Sequence, residues 1–507
     1  MTTATRNRDG RHTRVSNAVT EVADLFIGGK WRPSFGTDRF TVTSPATGEV
    51  LWDLAEAVDA DVNNAFAAAQ AAFERHEGAS PYERAEWCER IADQLEARLE
   101  PVARAISIEQ GKPLAEALGE AGSAVEGFRL AAQEARALRG EMIPTHDTRK
   151  RVFTHRRPCG VYAIITPWNF PLNIPVEYLG PAIASGNTVV WKPAPTTAGI
   201  AVLLARCIEA AEIPPGIVNL LTGRLPELGR TMVAHRQAIG IGFTGSSTVG
   251  AEIARTAYDK RKILELGGNG PVIVLREADI TLAAQQSAAA AFANGGQSCA
   301  AAGRILCESS VYDDFVAALA AEAARVVVGP PLAAGTTMGP CHTRDVYDRT
   351  QAHIDESLAG GATLVFGGGP VPEAATLLFR SPAVLAEVPR QARANIEETF
   401  GPLAAVIRVD GDADILATAA MSRFGLSSAI FSESYPRAIR LAERLKNGQV
   451  VLNDTSNFWE LHMPFGGWPG SDSGTGRLGV RETLLGMTEV QSISMHLREG
   501  EGKQQYR

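Results

Sequence analysis

Two reactive side chains, each beside a pair of glycines, are the best candidates for chemistry in this sequence. Cys299 ends a Gly-Gly-Gln-Ser-Cys run, and Glu265 lies two residues before another Gly-Gly pair, 34 positions earlier. A backbone without side chains lets a substrate carbonyl approach the sulfur and leaves amide N–H groups free to face it. The glutamate could then activate the water that releases the acyl group. The pair therefore predicts covalent catalysis at a cysteine.

Each of these residues also has a plainer interpretation. A cysteine in an Ala-rich stretch is usually a small core residue, and a glutamate is usually a surface or salt-bridged carboxylate. Glu265 lies between Leu264 and Leu266, a setting that predicts partial burial. Burial would raise its pKa toward that of a useful base.

Asn169 is a candidate for stabilising an oxyanion. It lies in a Pro-Trp-Asn-Phe-Pro run directly after the apolar segment Val161–Thr166. Ligands of α/β folds bind at the carboxyl ends of strands, and an amide donates a hydrogen bond without itself titrating. The alternative is a turn-forming asparagine between prolines.

A phosphate-binding site is predicted where Thr244 leads into Gly245-Ser246 and a helix. The free N–H groups of a helix N-terminus can bind a pyrophosphate. The ordinary dinucleotide fingerprint is not expected in this chain. Taken alone, this signal is weak, and the helix beginning at Thr196 could be scaffold only.

Composition excludes several classes of function. The 507 residues carry a net charge of −8, which disfavours nucleic acid as a partner, and no apolar run approaches the ~20 residues that a membrane helix needs. The six cysteines show no CxxC pairing or metal-ligand spacing, so we expect no metal site and a cytoplasmic protein. Residues 1–22 have no signal-peptide core and are predicted to be a disordered tail, with a docking segment as the alternative.

Strand and helix patterns alternate along most of the chain. The region from Asp59 to about Ala137 shows apolar residues at helical spacing. Further on, strands alternate with helices, which predicts an α/β fold with a parallel, Rossmann-like sheet. The predicted strands are Val161–Thr166, Thr188–Trp191, Ile217–Leu221 and Ile239–Phe243, then a second set at Val272–Leu275, Arg304–Cys307, near Leu364 and at Ala404–Val409.

Together with Glu398-Thr-Phe400-Gly-Pro downstream, these motifs resemble the aldehyde dehydrogenase superfamily, from about Leu25 to about Ile493. The resemblance implies that family's fold: a Rossmann-like NAD(P)-binding domain (23–137 and 158–263), an α/β catalytic domain (264–480) and a small β oligomerisation arm (138–157 and 481–498). It also implies a homodimer or homotetramer, because the polar ribbon near Gly140–Arg157 and the segment Met487–His496 form an intersubunit arm in the family.

The resemblance implies NAD(P)-dependent oxidation of an aldehyde to the acid. Cys299 would form a thiohemiacetal and then a thioester, Asn169 and the Cys299 N–H would form the oxyanion hole, and Glu265 would activate water for hydrolysis. Leu478 stands where many relatives have glutamate, so Glu265 needs another proton route. The alternatives are a CoA-acylating dehydrogenase, in which a thiol takes the acyl group, and a non-catalytic dinucleotide-binding structural protein.

The cofactor would be NAD or NADP, and the choice stays open because Pro195 stands where many NAD-preferring relatives carry glutamate. That carboxylate would otherwise repel a 2′-phosphate. By resemblance, the cofactor-binding residues are Thr166, Pro167, Trp168, Lys192, Ala194, Pro195, Gly245, Ser246, Leu266, Glu398 and Phe400.

The substrate is expected to be a small uncharged or aromatic aldehyde, since no arginine flanks Cys299. A cationic aldehyde stays possible because of Glu177 and Glu460. The candidates for the substrate pocket are Phe170, Glu177, Tyr178, Ser298, Phe458, Trp459, His462 and Phe465.

Overall fold

The computed structural model describes residues 20–497, and the predicted tail over residues 1–19 lies outside them. The α/β prediction is confirmed: two large, mostly parallel sheets carry helices on their faces, with two small three-stranded sheets beside them. Residues 20–22, also assigned to the tail, are described, and the first strand, β1, begins at Glu21.

The eight-stranded sheet has the order β20-β12-β11-β8-β9-β10-β2-β3. Its five strands from β12 to β10 are parallel, and the outer pairings, of β20 with β12, β2 with β10 and β3 with β2, are antiparallel. The parallel prediction is therefore right for the centre and wrong for the edges. Its strands are β2 (Leu25–Ile27), β3 (Lys30–Arg32), β8 (Val161–Ile165), β9 (Thr188–Lys192), β10 (Val218–Leu220), β11 (Ala238–Thr244), β12 (Arg261–Glu265) and β20 (Gly474–Thr475).

Strand β12 was not predicted, and it carries Glu265 as its last residue. Its first two residues are Arg261 and Lys262, so the segment lacks the continuous apolar run that marks a buried strand. The boundary placed after residue 263 falls inside this strand, whose Leu264 and Glu265 still pair with β11. The change from one sheet to the other therefore comes after Glu265.

The seven-stranded sheet has the order β15-β16-β17-β14-β13-β18-β19 and is parallel except for β15. Nearly every residue of β13, β14, β16, β17 and β18 is buried, as expected for strands covered on both faces. Its strands are β13 (Val272–Val274), β14 (Arg304–Glu308), β15 (Thr363–Gly367), β16 (Ala383–Ala386), β17 (Leu403–Val409), β18 (Ser427–Phe431) and β19 (Gln449–Leu452).

Alanine-rich helices cover both sheets, including four between Asp59 and Ala137 as the periodicity predicts. A short 3₁₀ turn, Pro195–Thr197, precedes the sixth helix. The helices are α1 (Asp59–His76), α2 (Pro81–Glu96), α3 (Leu99–Glu109), α4 (Leu114–Ala137), α5 (Asn173–Ser185), α6 (Ala198–Ala210), α7 (Pro226–Ala234), α8 (Ser247–Thr256), α9 (Ile280–Phe292), α10 (Tyr312–Ala323), α11 (Arg344–Ala359), α12 (Arg393–Ile396), α13 (Gly411–Ala419), α14 (Tyr435–Ala442) and α15 (Val480–Gly486). None of these helices is long and apolar enough to cross a membrane.

The two small sheets lie outside the main layers. One consists of β1 (Glu21–Ala23), β4 (Arg39–Thr43) and β5 (Val50–Ala55), and the other of β6 (Met142–Ile143), β7 (Lys150–Pro158) and β21 (Thr488–His496). The polar ribbon near Gly140–Arg157 and the C-terminal segment thus pair with each other, antiparallel, over nine residue pairs from Thr488↔Pro158 to His496↔Lys150. We call this three-stranded sheet the arm.

Candidate active site

Cys299 and Glu265 lie where two cavities meet. The outer cavity has a volume of about 630 Å³ and is lined by Phe170, Trp459 and other side chains. The inner cleft has a volume of about 190 Å³ and is lined on its far side by Ser246. Both residues line both cavities, so a molecule in either one can reach the same thiol and the same carboxylate.

The backbone before Cys299 is held in an unusual conformation. After α9, Asn294, Gly295 and Gly296 all have positive φ, at 50°, 63° and 70°. Glycine adopts this region without steric penalty, and asparagine tolerates it better than most residues. The Gly-Gly pair therefore turns the chain sharply, so that Cys299 is presented at the meeting of the two cavities.

Glu265 is buried, with 3% of its surface exposed, and its Oε1 has no hydrogen-bond partner among the described residues. The pKa of its carboxyl is raised to about 8, mainly by burial. A hydrogen bond with the Cys299 thiol offsets part of this rise, and the charge of Glu398 adds to it. Burial and the adjacent carboxylates in turn hold the pKa of the Cys299 thiol well above its ordinary value. A carboxyl with a pKa near neutrality beside a thiol is suited to accept a proton.

Asn169 connects the loop after β8 to the Cys299 loop. Its Nδ2 donates to Gln297 O at 3.1 Å, and its own carbonyl oxygen accepts from Lys112 Nζ at 2.9 Å and from Asn294 Nδ2 at 3.0 Å. The backbone N–H of Cys299 has no acceptor within the described residues. The Asn169 amide and this N–H are both available to an oxygen placed beside the sulfur.

Lys112 and Glu120 form a buried ion pair beneath these loops that the sequence analysis missed. Lys112 Nζ lies 2.6 Å from Glu120 Oε2, and both side chains are no more than 2% exposed. Glu120 Oε1 also accepts from the N–H groups of Leu172 and Asn173 at the start of α5. No local sequence pattern distinguishes these two charges from those on solvated helix faces, so only the fold reveals them.

The inner cleft contains polar groups from three elements. Ser246 precedes α8 and accepts from Val249 N–H at 3.4 Å, and Glu398 accepts from Gly268 N–H at 2.8 Å. Burial raises the pKa of Glu398 to about 7. Phe400 has a φ of 53°, rare for a bulky residue, and its ring lies edge-on to Trp168 at 5.6 Å.

The remaining predicted cofactor residues differ in where they lie. Pro167, Trp168, Gly245 and Leu266 line the inner cleft, whereas Lys192 lines a separate cavity of about 220 Å³ between α7 and α8. Pro195 lines a third cavity, of about 440 Å³, together with Arg224. Thr166 is buried and accepts from Trp191 Nε1 at 2.9 Å, and neither Thr166 nor Ala194 lines these cavities.

The prediction that this chain lacks a dinucleotide fingerprint is wrong, because the sequence contains the pattern. Gly240, Gly242 and Gly245 form a G-x-G-x-x-G run. The first two lie inside β11, where a β-carbon would collide with the rings of Tyr162 and Tyr178. Only Gly245 lies at the strand end, so the first two glycines serve packing rather than phosphate binding.

Most of the predicted substrate-pocket residues line the outer cavity, namely Phe170, Glu177, Ser298, Trp459, His462 and Phe465. Tyr178 does not, because it points to the sheet and its hydroxyl lies 2.8 Å from Thr244 Oγ1. Phe458 is also absent from the lining. The cavity additionally contains carboxylates from α4, Glu116, Glu120 and Glu126, which the motifs did not indicate.

Comparison with known proteins gives matches along nearly the whole chain. A sequence model described as "Aldehyde dehydrogenase family" matches residues 31–493. The glutarate-semialdehyde dehydrogenase of Pseudomonas aeruginosa is 35% identical over 472 residues, which cover 93% of this chain and 97% of that protein. The NADP-dependent succinate-semialdehyde dehydrogenase of Escherichia coli is 33% identical over 473 residues, with 93% and 97% covered.

Solved structures of similar proteins have the same fold. The succinate-semialdehyde dehydrogenase of Burkholderia pseudomallei superposes with a TM-score of 0.91 at 34% identity, covering 94% of this chain and 98% of that one. A betaine aldehyde dehydrogenase of Staphylococcus aureus, solved in complex with NAD+, gives a TM-score of 0.90 at 29% identity, with 94% and 95% covered.

Proposed function

This chain belongs to the aldehyde dehydrogenase family, and we propose that Cys299, Glu265 and Asn169 oxidise an aldehyde to its carboxylic acid with NAD or NADP. The observation that carries the proposal is the shared border of the two cavities. An aldehyde in the outer cavity and a nicotinamide in the inner cleft would meet at the one thiol that lines both.

The first step is attack by sulfur on the carbonyl carbon. Cys299 attacks as its thiolate, which the positive charge of a bound oxidised nicotinamide would favour. The thiol proton passes to solvent through the outer cavity, and the new C–S bond leaves a negative charge on the carbonyl oxygen. The Cys299 N–H and the second N–H of Asn169 Nδ2, whose first N–H donates to Gln297 O, donate to that oxygen. When bound, the oxidised nicotinamide accepts a hydride from the carbon attached to sulfur, leaving a thioester.

Hydrolysis of the thioester completes the reaction. The unpartnered Oε1 of Glu265 is an acceptor for one proton of a water molecule, and burial keeps the carboxyl basic enough to take it. The hydroxide oxygen adds to the acyl carbon, Cys299 leaves as thiolate, and the acid is released. Leu478 lines the outer cavity and has no titratable group, so the Glu265 proton leaves by another route through this cavity.

The described residues fit a dinucleotide. Lys192 is buried, and within the part of the chain that the structure describes its ammonium makes one long hydrogen bond, 3.4 Å to Pro193 O. It therefore has donors left for a ribose or phosphate oxygen. Burial lowers the pKa of Lys192 to about 8. Glu398 would hold the nicotinamide ribose and Phe400 would pack against the ring, while the N-terminus of α8 would bind the pyrophosphate.

We propose that NADP is accepted as well as NAD. Pro195 supplies no carboxylate to repel a 2′-phosphate, and Arg224 lines the same cavity. The Arg224 side chain is 58% exposed, and among residues 20–497 it is paired through Nε alone, with Glu56 at 3.2 Å. The outer nitrogens of its guanidinium are therefore available to a phosphate.

The substrate is proposed to be a small aldehyde without a negatively charged tail, whether uncharged, aromatic or cationic. Three of the relatives reported above are named for glutarate or succinate semialdehyde and the fourth for betaine aldehyde, so the substrates in their names span both signs of charge. Among the described residues that line the outer cavity there is no lysine or arginine to bind a carboxylate tail.

The arm is proposed to join copies of this chain into a homodimer or homotetramer. Val490, Ile493 and Met495 on β21 are 36% to 48% exposed, and Met142 and Ile143 on β6 are also exposed. Apolar side chains on an open sheet favour pairing with another copy. We also propose a cytoplasmic location, since all six cysteines are free thiols.

The deciding experiment is a spectrophotometric assay of NAD(P)H formation with aliphatic, aromatic, amino- and carboxy-aldehydes. The wild-type chain should reduce either cofactor in the absence of CoA. Cys299→Ala should lose turnover while binding the cofactor with an unchanged dissociation constant. Turnover retained by Cys299→Ala would refute the mechanism, and a rate that required CoA would favour an acylating dehydrogenase.

A further inference from the structure

The outer cavity is unusually acidic for a site whose relatives are named for semialdehydes. Its described lining includes six carboxyl groups, one histidine and no lysine or arginine. The six are Glu116, Glu120, Glu126, Glu177, Glu265 and Glu460. They have different partners, and those partners decide which of them can bind a substrate.

Five of these groups are already used or remote. Glu120 is neutralised by Lys112, and Glu265 is the proposed base. Glu116 accepts from Asn294 N–H at 2.9 Å. Glu126 and Glu460 are exposed to solvent at the mouth, and Glu460 lies 3.5 Å from the His462 imidazole. Water screens the two at the mouth, so they contribute little to binding.

Glu177 is the exception, because it is 97% buried and has no cationic partner among the described side chains. It is 3% exposed on α5 and lines the cavity. Its Oε1 accepts from Asn173 Nδ2 at 2.8 Å, and Asn173 Oδ1 is itself buried without a partner. Burial, together with the charges of Glu265 and Glu120, raises the pKa of Glu177 well above its ordinary value. A buried carboxylate without a counter-charge is costly, so the neutral form is favoured until a cation binds beside it.

From this arrangement we infer that the outer cavity takes an aldehyde whose far end carries an ammonium group, and that Glu177 binds that group. This inference rests on the proposed function, since it names the substrate class of the same site. An ammonium has three N–H donors and no acceptor, which matches a buried carboxyl that has no cationic partner among the described side chains. The aromatic rings of Phe170, Trp459 and Phe465 line the alkyl path and favour a cation further.

The buried ammonium of Lys112 does not oppose this assignment. Lys112 Nζ lies 4.0 Å from the centroid of the Phe170 ring, but it does not line the cavity and its charge is neutralised by Glu120. A carboxylate tail, by contrast, would face Glu177, and the described lining contains no lysine or arginine to bind it. Like charges in a partly dehydrated cavity repel strongly, so semialdehydes of dicarboxylic acids should be poor substrates.

The test compares three aldehydes of similar size at saturating cofactor: 3-aminopropanal, butanal and succinate semialdehyde. The first should have a kcat/KM about tenfold or more above that of butanal, and the third should have the lowest value. Glu177→Gln keeps the shape of the side chain and removes its ability to carry a negative charge. The ratio of kcat/KM for aminopropanal to that for butanal should therefore fall by about tenfold or more. Glu86→Gln, an exposed glutamate on α2 outside the cavity, is the control for net charge and should leave the ratio unchanged.

A binding measurement separates this inference from the proposed function. Calorimetry with propylammonium and with butyrate, in the presence of cofactor, needs no turnover. Propylammonium should bind the wild type and bind Glu177→Gln at least about tenfold more weakly, and butyrate should bind neither. Oxidation of all three aldehydes with no preference for the amine, or an equal loss of rate for both substrates in Glu177→Gln, would overturn the inference and leave the proposed function standing. Binding of propylammonium without oxidation of any aldehyde would refute the proposed function and leave the ammonium site standing.

Discussion

Gly268 lies against the carbonyl oxygen of Cys299, so closely that a β-carbon at position 268 would overlap it. This contact joins the loop after Glu265 to the loop that carries the thiol. The N–H of Gly268 also donates to Glu398 at 2.8 Å, so the same residue positions a carboxylate in the inner cleft. The Gly-Gly pair after Glu265 is thus a steric requirement for bringing base and nucleophile together.

Gly268→Ala should therefore reduce kcat by about a hundredfold or more, because displacement of a reacting group by about 1 Å has that effect. The overlap is with backbone, which cannot move aside as a flexible side chain can. Gly119→Ala is the matched control: Gly119 lies on α4 with open space around it, and the change should leave kcat unchanged and stabilise the helix slightly. A Gly268→Ala variant as active as Gly119→Ala would show that the contact does not matter.

Glu265→Gln should stall the reaction after the oxidative step. The amide cannot take a proton from water, so rapid quenching should detect a burst of NAD(P)H equal to the enzyme concentration, followed by a slow steady state. Mass spectrometry of the quenched sample should find the acyl group on Cys299. An unchanged steady-state rate without a burst would contradict the role of Glu265.

The rate of thioester hydrolysis should rise with pH through about 8 and then level off. Burial raises the pKa of Glu265 from 4.5 to about 8, so the carboxyl is protonated below that pH and cannot act as a base. Raising the pH increases the fraction of Glu265 that is ionised and can act as a base, so the hydrolysis rate increases with pH. Single-turnover measurements across pH 6 to 10 give the profile. The same step in Glu265→Gln should lack this rise, and a wild-type profile that falls toward high pH would exclude the assignment.

Lys112→Met should lower both stability and activity. Removing the ammonium leaves Glu120 as an uncompensated buried charge, which costs about 3–5 kcal/mol, and the Asn169 carbonyl loses one of its two donors. Urea unfolding measures the first effect and kcat the second. Adding Glu120→Gln to Lys112→Met should recover part of the stability. Lys446→Met, at an exposed position, is the control, and equal stability of the two single variants would refute the prediction.

Arg224→Gln should weaken NADP binding by about tenfold and change NAD binding by less than about threefold, because only NADP carries the 2′-phosphate. Quenching of tryptophan fluorescence gives both dissociation constants without turnover. Arg236→Gln, an exposed arginine away from these cavities, controls for net charge. Parallel losses for the two cofactors would place Arg224 elsewhere than at the 2′ position.

The sequence determined the general architecture because its signals are local. Alternating strands and helices predicted the α/β fold. Glycine-flanked motifs indicated Cys299 and Glu265, and a motif bounded by prolines after a strand indicated Asn169. Such signals depend on residues that are close in the chain, and the conformations that Gly295 and Gly296 adopt are ones that few other residues tolerate.

The tertiary structure decided which charges share a space. Glu177, Glu265 and Glu120 lie on different elements. Lys112 neutralises Glu120, whereas Glu177 and Glu265 have no cationic partner among the described side chains. The sheet edges and strand β12 also became visible only in the fold, since a strand with a polar start is recognised by its neighbours rather than by its own pattern. Burial and charge coupling depend on distances through space, which sequence spacing does not encode.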